Sequence, residues 1–191
     1  MRTFVALEVP PDTRSELDRL QRRLIARLAT DAVRWSPPDK MHLTLRFMGE
    51  VEAEKIGAIT AALRLACVGQ KAPRLALGEL GCFPNIGKPS VIWLGVSGEI
   101  EKLNTLFARV DAALSPFAER PDAKEYNPHL TLGRVKATAR NRARWLGEKL
   151  RHEILPAGQS EWMADRVVLF KSELTSKGSI YTALETVELV K

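Results

Sequence analysis

The chain has few cysteines, few histidines and no long apolar run, and each shortage narrows what it can be. Of 191 residues only two are cysteine, Cys67 and Cys82. They form no C-x-x-C pair and sit among apolar neighbours, which excludes a disulfide scaffold and predicts buried, reduced thiols. Reduced thiols point to the cytoplasm. No apolar run approaches the ~20 residues that span a bilayer, so no membrane is expected as partner. The opening Met1-Arg2-Thr3-Phe4-Val5 enters a strand pattern at once, with no secretory signal read there. Equally missing are a Walker-type loop, a G-x-G-x-x-G after a strand and a G-x-S-x-G elbow. There is no H-E-x-x-H and no Cys/His cluster, so no metal and no other cofactor is expected.

What is present is an ordinary soluble composition with a positive balance. Hydrophobic residues make up 45% and charged residues 27%, enough for a packed core. The formal charge is +6 and the pI near 9.5. Arginines crowd residues 14–27 and 140–151. Either stretch alone reads as the solvated face of a helix. Beside a phosphate-processing site the same charge favours RNA, because a polyanion is drawn by long-range attraction and counterion release.

Two of the three histidines lie in one repeated tetrapeptide, His42-Leu43-Thr44-Leu45 and His129-Leu130-Thr131-Leu132. Imidazole exchanges a proton near neutral pH, so two of them can divide base and acid duties. Strand side chains alternate between faces. His42 and Thr44 therefore project together while Leu43 and Leu45 enter the core, and the second motif repeats the pattern. Two such faces opposed would enclose a tetrahedral anion with two imidazoles and two hydroxyls. Without a metal, its charge needs basic side chains. Arg46 and Arg134 follow the motifs, and strict alternation puts Arg46 on the His42 face but Arg134 opposite His129. Gly133 could admit a bulge that re-aims Arg134, so both arginines stay open. Alternation also puts Phe47 opposite His42, packing behind the motif. The third histidine, His152, sits among charges at a helix end and reads as surface.

The periodicities predict strands at 2–9, 41–47, 74–82, 90–97, 128–135, 165–174 and 179–189, with Val33–Ser36 short and extended. Helices are expected from Asp12 through Leu28, over 52–67, around Leu103–Leu114 and over 138–152. Motif strand, helix, strand, turn, strand runs from 41 to 97 and recurs from 128 to 189. The chain reads as a single domain, 1–191, of α+β class. Its expected shape is bilobal, with two pseudo-symmetric lobes, each a small antiparallel sheet with covering helices, and a cleft between them.

The stretches Pro38–Glu50 and Asn127–Arg134 resemble the two-histidine phosphoesterases, and within them the bacterial and archaeal RNA 2′,3′-cyclic phosphodiesterases, also called 2′–5′ RNA ligases. Thr3–Leu7, Val91–Val96 and Ser172–Thr175 extend the resemblance along nearly the whole chain. It implies metal-independent hydrolysis of an RNA terminal 2′,3′-cyclic phosphodiester to a 2′-phosphomonoester. By resemblance His42 is the proton donor to the departing 3′ oxygen and His129 the proton acceptor that activates water. Thr44, Thr131 and Arg134 would hold the phosphate, which favours Arg134 over Arg46, and Phe47 would support the motif. The same acid/base pair would also serve a small-nucleotide cyclic phosphodiesterase or a reversible 2′–5′ transesterase. A non-catalytic module that binds RNA ends is the alternative of another class. Trp35, Phe83, Tyr126 and Tyr181 are candidates to stack on a terminal base. The expected partner is RNA with a cyclic-phosphate end; no protein partner is inferred.

Overall fold

A computed structural model describes residues 1–119, 125–153, 161–176 and 178–191. In chain order the elements are β1 (Arg2–Glu8), α1 (Pro11–Leu28), β2 (Val33–Trp35), β3 (His42–Glu50), α2 (Ile56–Cys67), β4 (Arg74–Phe83), β5 (Val91–Gly98), α3 (Ile100–Leu114), β6 (His129–Val135), α4 (Ala143–Arg151), β7 (Glu161–Met163), β8 (Arg166–Thr175) and β9 (Gly178–Glu188). The fold is α+β. Helix α1 forms because Leu17, Leu20, Leu24 and Leu28 recur on one buried face, with a proline in its first turn where a missing N–H costs nothing. Ala29, with φ 44°, then turns the chain out of the helix. The helix expected over 138–152 divides in two. Residues 137–142 are 3₁₀, with only Ala139 buried among them, and the α-helical stripe starts at Ala143. Strand β7, three residues long, is too short to leave a periodic signature.

The strands form one antiparallel sheet in the order β7-β4-β5-β6-β3-β1-β8-β9, with β2 also paired to β6. Its halves meet at β3 and β6, through the single pair Leu43↔Leu130. One offset of 87 residues relates the halves. It carries the pair Phe4↔Phe47 onto Val91↔Arg134, and Glu8↔His42 onto Gly95↔His129. It also carries Phe83, which pairs with Val91, onto Phe170, which pairs with Phe4. The unit traced by this register begins at β1, ahead of Met41, and equates β5 with β1. Each half of the sheet draws on both halves of the sequence, since β4 joins β5 and β6 while β8 joins β1 and β3.

One face of the sheet is covered. Leu43, Leu45, Leu130 and Leu132 share a core with Leu17 and Leu24 of α1, Leu63 of α2 and Leu103 and Leu106 of α3. The other face carries the motif histidines and threonines, all half-buried. Alternation fails at the same place in both motif strands. The pairing of β1 with β3 jumps from Ala6↔Thr44 to Val5↔Arg46, leaving Leu45 as an extra residue. The pairing of β5 with β6 jumps from Trp93↔Thr131 to Ile92↔Gly133, leaving Leu132 as the extra. A bulge of this kind reverses the facing of the residues that follow it, in β3 as far as a second irregularity at Met48. Leu45 and Arg46 are consequently both buried, and Phe47 is 57% exposed.

Two expectations are corrected by these bulges. Arg46 does not join His42 on the open face; it is fully buried and pairs with Asp111 of α3. Phe47 does not pack behind the motif, because the bulge turns it onto the His42 face. Gly133 takes the place of Arg46 in the second half, where a Cβ would lie 2.7 Å from Val33 Cγ1 and force a neighbour to shift. With its guanidinium built into the core, Arg46 acts on stability. Arg46→Ala should lower the unfolding free energy by about 2–4 kcal/mol, through the cavity and the broken ion pair. Arg134→Ala should leave it near the parent value. Denaturant unfolding checks the ranking, and equal effects would contradict the placement of Arg46.

Candidate active site

The Leu43↔Leu130 pair sets the geometry of the open face. Continued by one residue either way, the register puts His42 opposite Thr131 and Thr44 opposite His129. Their neighbours Leu43 and Leu130 point into the core, so all four project from the other side. Diagonal neighbours across such a pair lie roughly 7–8 Å apart at Cα, enough to admit a small tetrahedral group between the imidazoles.

The two histidines are held in the same way. His42 Nδ1 lies 2.9 Å from the Lys40 carbonyl, and His129 Nδ1 lies 2.7 Å from the Asn127 carbonyl. A carbonyl can only accept, so each Nδ1 carries a proton and donates it. Each neutral ring therefore presents an Nε2 lone pair that takes a proton as base, and only the imidazolium so formed can give one as acid. The anchor in both cases is the backbone two residues earlier, a feature no side-chain pattern encodes. Prolines help to place it: Pro37 and Pro38 lead into the 3₁₀ turn Pro38–Lys40, and Pro128 precedes His129 directly.

Aromatic rings frame the imidazoles and remove water from around them. Phe4 stacks on His42 with centroids 4.6 Å apart, and Tyr181 meets it edge-on at 5.3 Å. Phe83 meets His129 edge-on at 4.9 Å, with Trp93 at 5.9 Å. Trp93 reaches this position by lying across Gly81, where any Cβ would overlap the indole ring. Burial holds His42 down to about 4, against the pull of its Lys40 hydrogen bond, and the charge of His129 lowers it further. Burial also lowers His129, the Asn127 carbonyl opposes this, and Arg134 adds to the depression. His42 thus feels the charge of His129, and His129 feels that of Arg134. Arg134 stands exposed on the histidine face, turned there by the bulge at Leu132.

Of the aromatics considered for base stacking, Phe83 and Tyr181 belong to the histidine frames. Tyr126 instead stacks on Phe107 of α3, 3.9 Å between centroids, and Trp35 lies half-buried against Gly133. Phe47 offers the free aromatic surface, 6.1 Å from Phe4. A cavity of about 290 Å³ opens beside His42, lined by Glu8, Arg14, Asp39, Lys40, Phe170 and Tyr181 among others. The Glu8 carboxylate there is taken up by Arg14 and Arg166. A larger cavity of about 390 Å³ lies at the β4–β7 edge among Lys71, Arg74 and Lys102, away from both histidines, so size does not mark the site. His152 is exposed at the end of α4, as expected.

Because both shifts are downward, the free protein near pH 7 holds two neutral imidazoles. An NMR titration should show His42 protonating near pH 4 and His129 below its ordinary 6.5. Inorganic phosphate, an anion between the rings, should raise both. A free-state midpoint for His42 at or above 6.5 would contradict the burial that the fold imposes.

Residues 7–93 and 94–181 each match the family model described as LigT like Phosphoesterase. The chain is 33% identical to the RNA 2′,3′-cyclic phosphodiesterase of Methanothermobacter thermautotrophicus, with 99% of each chain covered. It is 34% identical to the protein of the same name from Archaeoglobus fulgidus, with 98% of this chain and 100% of that one covered. In structure it resembles TT0787 of Thermus thermophilus, with a TM-score of 0.79 and 29% identity over 99% of this chain and 98% of that one. Apo LigT of E. coli shares the fold at a TM-score of 0.74 and 23% identity, over 100% of this chain and 98% of the other. With two tandem matches that span its length, and with paired imidazoles on one sheet face, this chain belongs to the LigT-like phosphoesterase family.

Proposed function

We propose that this chain hydrolyses the 2′,3′-cyclic phosphodiester at the end of an RNA to a 2′-phosphomonoester. The observation that carries the reading is the pair of identically anchored imidazoles, each with Nε2 free, flanking one face with Thr44, Thr131 and Arg134. Relatives 33–34% identical over their whole length carry the name of this activity. In the step, a water oxygen bonds to phosphorus and the P–O3′ bond breaks. The water proton passes to His129 Nε2, and the proton on His42 Nε2 passes to the departing 3′ oxygen. Thr44 and Thr131 donate hydroxyl protons to phosphoryl oxygens, and the planar fork of Arg134 binds two of them at once. Phe47 offers its ring to the terminal base. The donor set of imidazole, hydroxyl and guanidinium suits an anion and not a hard cation, so the assay is run in EDTA. Two free, buried cysteines fit a reducing cytoplasm.

The low pKa of His42 bears on the assignment of roles. In the free protein burial disfavours the charged form of His42 and of His129 alike. The bound phosphate anion must raise His42 before it can serve as donor.

A substrate with sulfur at the bridging 3′ position separates the two. An alkoxide needs a proton to leave, whereas a thiolate departs without one. His42→Ala should recover on this substrate a large part of its roughly 10²–10⁴-fold defect, and His129→Ala should not. Rescue of His129→Ala alone would exchange the roles, and rescue of neither would make His42 a phosphate-binding cation.

A further inference from the structure

Strand β2 places a second arginine beside the first. Arg34 pairs directly with Arg134 across the β2–β6 ladder. Residues directly opposite in an antiparallel pair point to the same face, with Cβ atoms roughly 4.5–5.5 Å apart. Arg134 faces the cleft after the bulge at Leu132, so Arg34 faces it too. Their neighbours agree with this facing: Val33 is buried and Trp35 lies over Gly133, on the covered side. Lys136, two residues beyond Arg134 and just past the end of the strand, is exposed as well. Neither Arg34 nor Arg134 forms an ion pair among the described residues, although other arginines of the fold, such as Arg14, Arg27, Arg46 and Arg142, do.

Like charges directly opposite destabilise a sheet. Two guanidiniums in register at the mouth of a cleft that takes one phosphate call for a second anion. We infer that Arg34 binds the phosphodiester on the 5′ side of the terminal nucleotide, with Arg134 holding the terminal cyclic phosphate. The inference rests on the RNA-end reading above and adds a second phosphate subsite to it. Residues 33–36 run antiparallel along 132–135 and lead through Pro37 and Pro38 to His42, so Arg34 lies along β6 on the side from which the chain enters the first motif. A cyclic mononucleotide has no 5′ phosphodiester and leaves Arg34 unused. A cyclic-phosphate oligonucleotide engages it.

The readout is the ratio of kcat/KM for a ten-nucleotide RNA ending in a 2′,3′-cyclic phosphate to that for the corresponding cyclic mononucleotide. Arg34→Ala should lower this ratio about tenfold, mainly through KM for the oligonucleotide. It should also reduce the slope of log affinity against log salt by about 0.7, one single-strand phosphate contact. Arg34→Lys should restore most of both, since it keeps the charge. Because the variant relieves an Arg–Arg repulsion, the melting temperature should hold or rise. An unchanged ratio, or equal losses on both substrates, would overturn the subsite, and so would a fall in melting temperature that accounts for the loss. If the parent protein turned over neither substrate, the reading of function would fail instead. The subsite would then be judged by binding of a 2′-phosphate-ended ten-mer: tenfold weaker binding by Arg34→Ala supports it, and equal binding overturns it.

Discussion

One antiparallel pair, Leu43 against Leu130, holds the site together. Both side chains are fully buried, and each belongs to the tetrapeptide that carries a histidine. Locking them opposite one another fixes the relative position of His42, Thr44, His129 and Thr131 through the backbone. The cost of moving either motif strand is then the cost of withdrawing a leucine from the core, about 1.5–3 kcal/mol for each such side chain exposed. A site built on two strands of one sheet is also more rigid than one built on loops.

The matched bulges are the second constraint. At Leu45 and Leu132 the strand gains a residue, and the side chains that follow directly change face. The two halves use the same distortion for different ends. In one, the reversal sends Arg46 into the core against Asp111 and brings Phe47 out to the cleft. In the other, Gly133 occupies the inward position and Arg134 comes out. A symmetric backbone thus supports an asymmetric pocket, with an aromatic surface at one end and cations at the other. The imidazoles are asymmetric as well. His42 lies deeper, under Phe4 and Tyr181, and burial depresses it to about 4, whereas His129 shares its surroundings with Arg134.

Much of this is legible in the sequence, and the remainder is hidden for definite reasons. The pairing of His with Thr on one face follows from the period of a strand, so the four motif positions can be placed from the sequence alone. The facing of Arg46, Phe47 and Arg134 cannot. A bulge is a mismatch between two strands, and a single strand read alone shows perfect alternation. The carbonyls of Lys40 and Asn127, which set the tautomers, are backbone atoms and leave no side-chain signal. Nor can a repeat in one dimension reveal that β4 and β8 each lie in the half of the sheet begun by the other unit. Arg34 belongs to no motif, and its importance comes from its cross-strand neighbour Arg134, far along the chain.

The proposed site centres on two imidazoles, each donating Nδ1–H to a backbone carbonyl and leaving Nε2 for a bound anion. A crystal structure with phosphate or vanadate bound tests this most directly. The account predicts one anion with both Nε2 atoms, the Thr44 and Thr131 hydroxyls and the Arg134 guanidinium within hydrogen-bonding distance of its oxygens. An anion bound by one histidine alone, with the other ring directed into a separate pocket, would contradict it.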